Sequence, residues 1–338
     1  MTSRYHIKTA PAPAPFPYPA KFRLGEGDDY VKYGHAPFEQ GRRGGDEHWT
    51  PEVITQTWYQ AETGRIPISG AGYGGAFAGP GFDAIWLDMS EIVRPTRDGI
   101  HGRETISTTV LLGRRLPALQ FGAASPFGGA GELLSELPPQ VEIPLPVLFD
   151  PLPLPLPGTG AQQAILRAAA RLGTLALVRA ADWQANMAEY AGTVAPILTP
   201  GDDPAAALQR ALILQQSARL VEIEIERGDE EQMAAALALA EQVRAANHRA
   251  VLALRLPLGP ESAAQAEAAA RGGLDAIHLY ADEVGYELGG GAPRFLADVL
   301  QEVHGRLVAA GLRDQIGLLV SGGIAAAEHL PKAMVCGA

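Results

Sequence analysis

The chain has 338 residues, of which 47% are apolar, enough for one barrel-sized domain and a smaller region beside it. Its 27 basic and 38 acidic residues give a net charge of −11, which argues against nucleic acid or an anionic membrane as the main partner. A single cysteine, Cys336, excludes an internal disulfide, a cysteine-ligated zinc site and an iron–sulfur cluster held by this chain alone. With no apolar run of about 18 residues, the sequence predicts a cytoplasmic protein without a membrane span.

The first 140 residues divide into two regions by composition. Residues 1–48 are rich in proline and glycine and are predicted to be a tail or linker. Residues 49–140 begin with a helix start in which Thr50 is the N-cap and Pro51 the first helical residue. The elements predicted in this second region are a helix at Trp49–Gln60, a glycine-rich loop at Gly64–Gly81, and strands at Thr105–Leu112 and Leu116–Phe121 joined by a turn at 113–115.

From residue 141 to 338, short apolar runs alternate with Ala-rich helical runs, which predicts a parallel sheet covered by helices. The predicted strands are Ile143–Phe149, Thr174–Val178, Ala195–Leu198, Leu220–Ile225, Ala250–Leu256, Ala276–Ala281 and Ile316–Val320. The predicted helices are 161–172, 183–190, 204–217, 229–247, 260–271, 293–310 and 324–334. Seven regular repeats favour an α/β fold of the (β/α)8 TIM-barrel type that lacks its eighth strand, with Val335–Ala338 leading into one more strand. An open seven-stranded sheet is the alternative.

Several long, irregular segments of the sequence resemble those of a known family. They are WTPEVITQTWYQAETGRIPISGAGYGGAFAGPGFDAIW (49–86), LDMSEIVRPTRDGIHGRETIST (87–108), VEIPLPVLFD (141–150), RLPLGPESAAQAEAAARGGLDAIHLY (255–280) and GLRDQIGLLVSGGIAAAEHLPKAMVCGA (311–338). In these segments the chain resembles the FMN-binding, glutamate-synthase-related family. The resemblance implies a TIM barrel that holds FMN at the carboxyl ends of its strands. In glutamate synthases that flavin reduces the imine of 2-oxoglutarate and ammonia to glutamate, with electrons from an iron–sulfur cluster. An electron-donor protein or small subunit is therefore an expected partner, and an oligomer is possible.

Three segments depart from the family pattern. A cysteine-free segment, Tyr30–His48, stands where many relatives carry a ferredoxin-like cysteine module. A proline-rich run, Pro151–Pro157, replaces the small-residue motif after the first barrel strand, and prolines donate no backbone hydrogen bond. The polar stretch Arg179–Trp183 follows the second strand where a glycine-rich loop is expected. The alternative to a flavin enzyme is therefore a degenerate, catalytically inert barrel that acts as a subunit or scaffold.

Two cofactor-binding candidates follow from the barrel and the resemblance. Ser321, Gly322 and Gly323 form a turn between the seventh strand and a helix, where backbone amides and a hydroxyl can hold a phosphate. The alternative is a tight turn that needs glycine for positive φ. Arg255, near the end of the fifth strand, falls where the family often has a lysine facing the pyrimidine edge of the flavin. Its alternative is an ion pair with Glu224 or Asp282.

Other patterns support no further site. Glu222, Glu224 and Glu226 share one face of the fourth strand, either as a ligand-facing acid set or as salt-bridged or solvated side chains. The GxGxxG match at Gly70–Gly75 lacks a following helix, so a dinucleotide-binding interpretation is rejected. No metal site and no hydrolase constellation is predicted, and the catalytic residues stay unassigned.

Overall fold

The computed structural model describes residues 81–85, 108–116, 137–152, 160–200, 218–226, 228–288, 292–324, 327 and 329–338. The chain divides into two compact units, 1–86 and 87–338. Of the first unit only 81–85 is described, and it holds a short 3₁₀ helix, Gly81–Ala84. The predicted helix Trp49–Gln60 and the glycine motif Gly70–Gly75 lie outside the described residues.

Eight strands and five α-helices make up the described part of the second unit. The strands are β1 (Val110–Gly113), β2 (Gln140–Ile143), β3 (Ala176–Arg179), β4 (Val194–Leu198), β5 (Leu220–Glu224), β6 (Val251–Pro257), β7 (Ala276–Tyr280) and β8 (Gly317–Ser321). The helices are α1 (Gly160–Leu172), α2 (Glu230–Ala246), α3 (Ser262–Arg271), α4 (Leu296–Ala309) and α5 (His329–Cys336). Short 3₁₀ segments lie at Ala180–Asp182, Ala185–Thr193 and Arg313–Gln315. No helix in the described ranges has the length and apolar character that crossing a bilayer requires.

Strands β3 to β8 form one parallel sheet in which each strand pairs with the next in sequence. A parallel bridge between Phe149 and Ala176 adds the segment before α1 to the edge beside β3. An open doubly wound sheet reverses its strand order at a switch point, whereas a barrel runs in sequence order around its axis. The observed order is that of a barrel.

Contacts across the sheet show that it is curled. The segment ending at Asp150 lies four strands from β6, which in a flat sheet is about 19 Å at the usual strand spacing. Yet Arg255 Nη1 on β6 is 2.6 Å from Asp150 Oδ1. The two side chains can meet only across the interior of a barrel, so the predicted TIM-type barrel is confirmed and the flat-sheet alternative is wrong.

The two faces of the sheet bury different partners. Inward residues of β3 to β7, such as Leu177, Ile197 and Val251, form one apolar cluster inside the barrel. Outward residues such as Val178 and Val194 pack with Leu166 and Ala169 of α1 and nearby side chains. Because both faces are covered, the strands read as continuous apolar runs in the sequence, as buried parallel strands do.

An antiparallel ribbon, β1 with β2, closes the amino end of the barrel. Leu112, Val141 and Ile143 of the ribbon belong to the interior cluster. Gly113 has φ +129°, and a Cβ there would collide with the carbonyl oxygen of Pro139. Arg114 Nη1 donates to the carbonyl oxygens of Ala270 and Leu274, each at 3.0 Å, at the end of α3 and the loop before β7.

Two element predictions need correction. Ile143 belongs to the antiparallel ribbon, so of the first predicted barrel strand only Phe149 pairs with the sheet. β1 pairs with β2, and Arg114 with the Arg115 amide anchors the chain after β1 to the barrel. The predicted strand Leu116–Phe121 lies, apart from Leu116, outside the described residues. Val335 and Cys336 lie in the last turn of α5 and are helical, not extended. The predicted helix 204–217 lies outside the described residues.

Candidate functional site

At the carboxyl end of the barrel the interior changes from apolar to ionic. The lower inward positions of β5, β6 and β7 are Leu220, Val251 and Ala276, all in the apolar cluster. Nearer the mouth, beyond Ala253 on β6, the inward positions of these strands are charged or polar, and with their neighbours they form what we call the charged layer. Its members are Asp150, Arg179, Glu222, Glu224, Arg255 and His278.

Arg255 is the centre of the charged layer. Its side chain is 5% exposed, and its two terminal nitrogens form a bidentate pair with Asp150, at 2.6 and 3.0 Å. Nε donates to Glu224 Oε1 at 3.3 Å, and the guanidinium carbon lies 4.7 Å from the ring centre of Tyr280. Burial lowers the pKa of Arg255, but the hydrogen bond and charge of Asp150, with the glutamates, outweigh it and raise that pKa above its ordinary value.

Glu222 and His278 lie below Arg255. The Glu222 side chain is 0% exposed, and its Oε1 is 2.9 Å from His278 Nδ1 and its Oε2 3.6 Å from Arg255 Nη1. Nδ1 is also 3.0 Å from Arg255 Nη1, and it cannot donate to a carboxylate and accept from a guanidinium at once. We assign the Nδ1 proton to the bond with Glu222, because a buried carboxylate needs a donor. Arg255 Nη1 then has Nε2 of the same ring, at 3.4 Å, as its acceptor on His278.

The upper part of the layer reaches solvent. Arg179 is 43% exposed and donates to Glu224 Oε1 at 3.1 Å. Burial and the charge of Glu224 raise the pKa of Tyr280, against the opposing charges of Arg255 and Arg179.

Asp150 is the carboxylate of the layer that is open to the mouth, with its side chain 33% exposed. Burial raises the pKa of Asp150, but His278, Arg255 and Ser321 together lower it further, so the net pKa lies below its ordinary value. The backbone on either side is constrained, because Phe149 is bridged to Ala176 and a residue before proline, Pro151, is restricted to extended conformations. The backbone therefore holds the Asp150 carboxylate in position to pair with Arg255.

The Ser321-Gly322-Gly323 turn ends β8. Ser321 Oγ is enclosed and makes no hydrogen bond of normal geometry among the described residues, although it lies close enough to lower the pKa of Asp150. Gly322 and Gly323 have φ of +96° and +67°. A Cβ at Gly322 would collide with the carbonyl oxygen of Asp282, and one at Gly323 would lie 2.7 Å from the Cα of Gly285. The turn thus needs glycine for its backbone, and it also holds an enclosed hydroxyl beside the Asp150 carboxylate.

The structure brings the two sequence-predicted candidates to one place. Arg255 and Ser321 both lie beside Asp150. Of the alternatives for Arg255, the ion pair with Glu224 is present, whereas Asp282 accepts the amides of Val284 and Tyr286 in its own loop.

Two of the three glutamates on β5 and just after it form ion pairs. Glu222 and Glu224 point inward and are salt-bridged, and Glu226 is exposed. Asp150 and His278 are the functional candidates that sequence reasoning missed. His278 alternates with the inward Ala276 and Tyr280, which is the signal that could have found it. Within the described ranges, no group of three or more His, Cys, Asp or Glu side chains has an arrangement that could hold a metal ion.

Comparison with known proteins finds sequence similarity to archaeal-type glutamate synthases. No model of a known protein family matches the chain. It is 23% identical over 337 residues to the archaeal-type glutamate synthase [NADPH] of Dehalococcoides mccartyi, a match that covers 86% of this chain and 64% of that protein. It is 30% identical over 128 residues to the archaeal glutamate synthase [NADPH] of Archaeoglobus fulgidus, covering 38% of this chain and 24% of that protein. The chain therefore spans less than two thirds of the length of these relatives.

Solved structures give partial superpositions. The aldolase QR15 has a TM-score of 0.42 and 13% identity, and covers 57% of this chain and 86% of the aldolase. A mutant flavocytochrome b2 with pyruvate bound has a TM-score of 0.39 and 14% identity, with 58% of this chain and 56% of the flavocytochrome covered. The barrel assignment rests on strand order and cross-barrel contacts, and the relationship rests on sequence. The sequence similarity supports a distant relationship of this chain to the archaeal-type glutamate synthases.

Proposed function

We propose that this chain is a glutamate-synthase-related flavin oxidoreductase barrel that binds FMN at the carboxyl ends of its strands. The observation that carries the proposal is the turn after β8, in a barrel whose sequence is related to glutamate synthases. The turn after the seventh strand of a barrel is a habitual phosphate site, and β8 is the seventh strand of this one, counting from the Phe149 segment. Its enclosed Ser321 hydroxyl lies beside Asp150 and makes no hydrogen bond of normal geometry among the described residues.

Ser321, Gly322 and Gly323 would hold the phosphate of FMN. The hydroxyl offers a donor, and the two glycines let the backbone turn sharply without side chains between it and a ligand. Bound FMN supplies the hydride-transfer chemistry, for which the protein provides binding, orientation and electrostatics. By the resemblance, the reaction is reduction of the imine of 2-oxoglutarate to glutamate in the cytoplasm, with electrons from a partner protein or subunit.

Arg255 would act on the flavin ring as a fixed charge beneath the mouth. Its N–H groups are directed at Asp150 and Glu224, so its influence is through space. An arginine also differs from the lysine of the family in shape and hydration, so the ring electronics differ from those of relatives with lysine.

A second candidate function is a catalytically inert barrel that serves as a subunit or scaffold. The specific observation that favours it is the charged layer, whose guanidinium is already compensated by three carboxylates. The proline-rich run after Asp150 adds to it, since a loop rich in proline offers few backbone donors to a cofactor.

An absorption spectrum of the purified chain, before and after addition of FMN, separates the two functions. The flavin enzyme predicts bands at about 370 and 450 nm that stay with the protein through gel filtration. The inert barrel predicts that neither appears, even with FMN in excess, and that result would overturn the flavin proposal.

The phosphate position is tested by comparing FMN with riboflavin, which has the same ring and no phosphate. Wild-type protein should bind FMN more tightly than riboflavin, and Ser321→Ala should weaken FMN binding by about tenfold while changing riboflavin binding little, because only the charged hydrogen bond is lost. Equal losses for both flavins would place the phosphate elsewhere.

A further inference from the structure

The Asp150–Arg255 pair has a feature that the flavin proposal does not use. Asp150 contributes both carboxylate oxygens end-on to the two terminal nitrogens of one guanidinium, at 2.6 and 3.0 Å. This fork-to-fork geometry is the one by which an arginine binds the carboxylate of a ligand. It lies at the barrel mouth, where barrel proteins bind their ligands.

The other edges of the guanidinium are occupied as well. Nε is directed at Glu224, and the ring of Tyr280 covers one face. Nη1 lies against His278 on the side of the barrel floor. The bidentate edge facing Asp150 is therefore the edge at which a carboxylate from outside could bind, and Asp150 has filled it.

The three carboxylates around Arg255 differ in how exposed their side chains are. Glu222 and Glu224 are 0% and 10% exposed, and Asp150 is 33% exposed. The preorganised backbone at Asp150, between the Phe149 bridge and Pro151, holds the carboxylate in place without help from a ligand.

We infer that Asp150 is an internal carboxylate ligand, which occupies the anion site on Arg255 and closes it to carboxylate groups of small molecules. This arrangement has a consequence for which ligands the mouth can bind. A carboxylate substrate is not held at the mouth through Arg255 in the wild-type protein, and loss of the Asp150 side chain opens a site for a small carboxylate. This inference goes beyond the proposed function and does not rest on it.

Chemical rescue tests the inference. In Asp150→Ala the group removed is a carboxylate, and formate is the free molecule of that size and charge. We expect Asp150→Ala to lower the melting temperature by roughly 5–10 °C, because a buried guanidinium loses its bidentate partner. Formate should restore most of that loss in a saturable manner, whereas sodium chloride at the same ionic strength should not.

Matched controls separate a vacated site from a general salt effect. Asp150→Asn keeps the volume of the side chain, leaves no space for an anion and should show no recovery in formate. Asp182→Ala removes an exposed carboxylate from the 3₁₀ segment after β3, and its melting temperature should not respond to formate. The wild-type protein should be equally insensitive.

Two results would overturn the inference. One is stabilisation of the wild-type protein by formate to the same degree as Asp150→Ala, since the site would then be open. The other is an Asp150→Ala protein that formate does not rescue, including one that stays unfolded in formate and in chloride alike. Flavin binding is read from absorbance and this site from melting temperature in the absence of flavin, so the two proposals can fail separately.

Discussion

Asp275 is a buried carboxylate whose pKa is raised by folding. Its Oδ2 accepts the amide of Leu252 at 2.9 Å and lies 3.4 Å from Arg244 Nη2. Burial raises the pKa of Asp275, and the Leu252 amide, Arg244 and Arg114 lower it by less. The ionised form is therefore disfavoured by folding, in contrast to Asp150, whose pKa is lowered.

The sign of this shift gives a prediction for pH. A carboxyl whose pKa is higher in the folded state stabilises the fold below its unfolded pKa of about 3.9, and that contribution is lost as pH rises through the folded value. Wild-type protein should thus lose stability relative to Asp275→Asn as pH rises above about 4, measured by urea denaturation at each pH. A constant difference across this range would contradict the shift.

Asp275→Ala is the companion variant. It removes the acceptor of a buried amide, which costs about 1–3 kcal/mol at every pH. The asparagine variant keeps an acceptor for the Leu252 amide, so the two variants separate the hydrogen bond from the charge.

Single residues in the charged layer were only partly predictable. The sequence predicts that Arg255 and Glu224 lie on neighbouring strands and can pair, and they do. It does not predict Asp150 as the bidentate partner, because that contact joins strands far apart in the sheet and depends on how tightly the barrel curls. Local patterns in a sequence carry no information on curvature of that kind.

At the scale of elements, the turn after β8 and the loop after β7 are packed backbone to backbone. Gly322 and Gly323 touch residues 281–285, and the Ala281 amide donates to the Ser321 carbonyl oxygen at 2.9 Å. The loop is itself held by the carboxylate of Asp282, which accepts two of its amides. A change in the position of the loop after β7 would therefore also change the backbone conformation of the turn to which a ligand would bind.

Gly322→Ala tests this packing. A side chain at φ +96° is strained and would collide with the Asp282 carbonyl oxygen, so we expect a loss of at least about 1–3 kcal/mol in unfolding free energy. Gly305→Ala is the matched control, since it lies in α4 with open space at its Cβ and should gain about 0.5–1 kcal/mol. Chemical denaturation of both variants gives the comparison, and an unaffected Gly322→Ala would show that the turn can relax.

Elements in the second half of the chain were predicted best. β6 and β7 are long, apolar and flanked by clear turn residues, and their observed bounds are close to the predicted ones. The segment 143–149 was wrong as one strand because its apolar residues serve two structures, the ribbon below the barrel and the bridge at Phe149. Two short partners with one continuous apolar pattern cannot be separated by periodicity.

At the scale of the whole molecule, the ribbon acts as the floor of the barrel. β1 and β2 are separated by 26 residues in sequence and pair in register, with Val110 opposite Ile143. They bring apolar side chains to the amino ends of strands as far along the chain as β7, which contributes Ala276 to the same cluster. Their contribution to stability should thus be that of core residues.

Adjacent residues of β1 give the test. Leu112 is 6% exposed within the interior cluster, whereas Leu111 is 42% exposed on the opposite face. Leu112→Ala should cost about 2–4 kcal/mol through lost burial and a residual cavity, and Leu111→Ala within about 0.5 kcal/mol. Equal costs, measured by denaturation, would mean that the ribbon is not part of the barrel core.

The charged layer also bears on how stability varies with temperature. Hydration of apolar surface raises the heat capacity of an unfolded chain, and hydration of polar surface lowers it. In this barrel guanidinium, carboxylate and imidazole groups fill interior positions that are aliphatic in an ordinary barrel core. Unfolding therefore exposes less apolar and more polar area, and the curve of stability against temperature is broader and flatter than that of an all-apolar barrel of equal size.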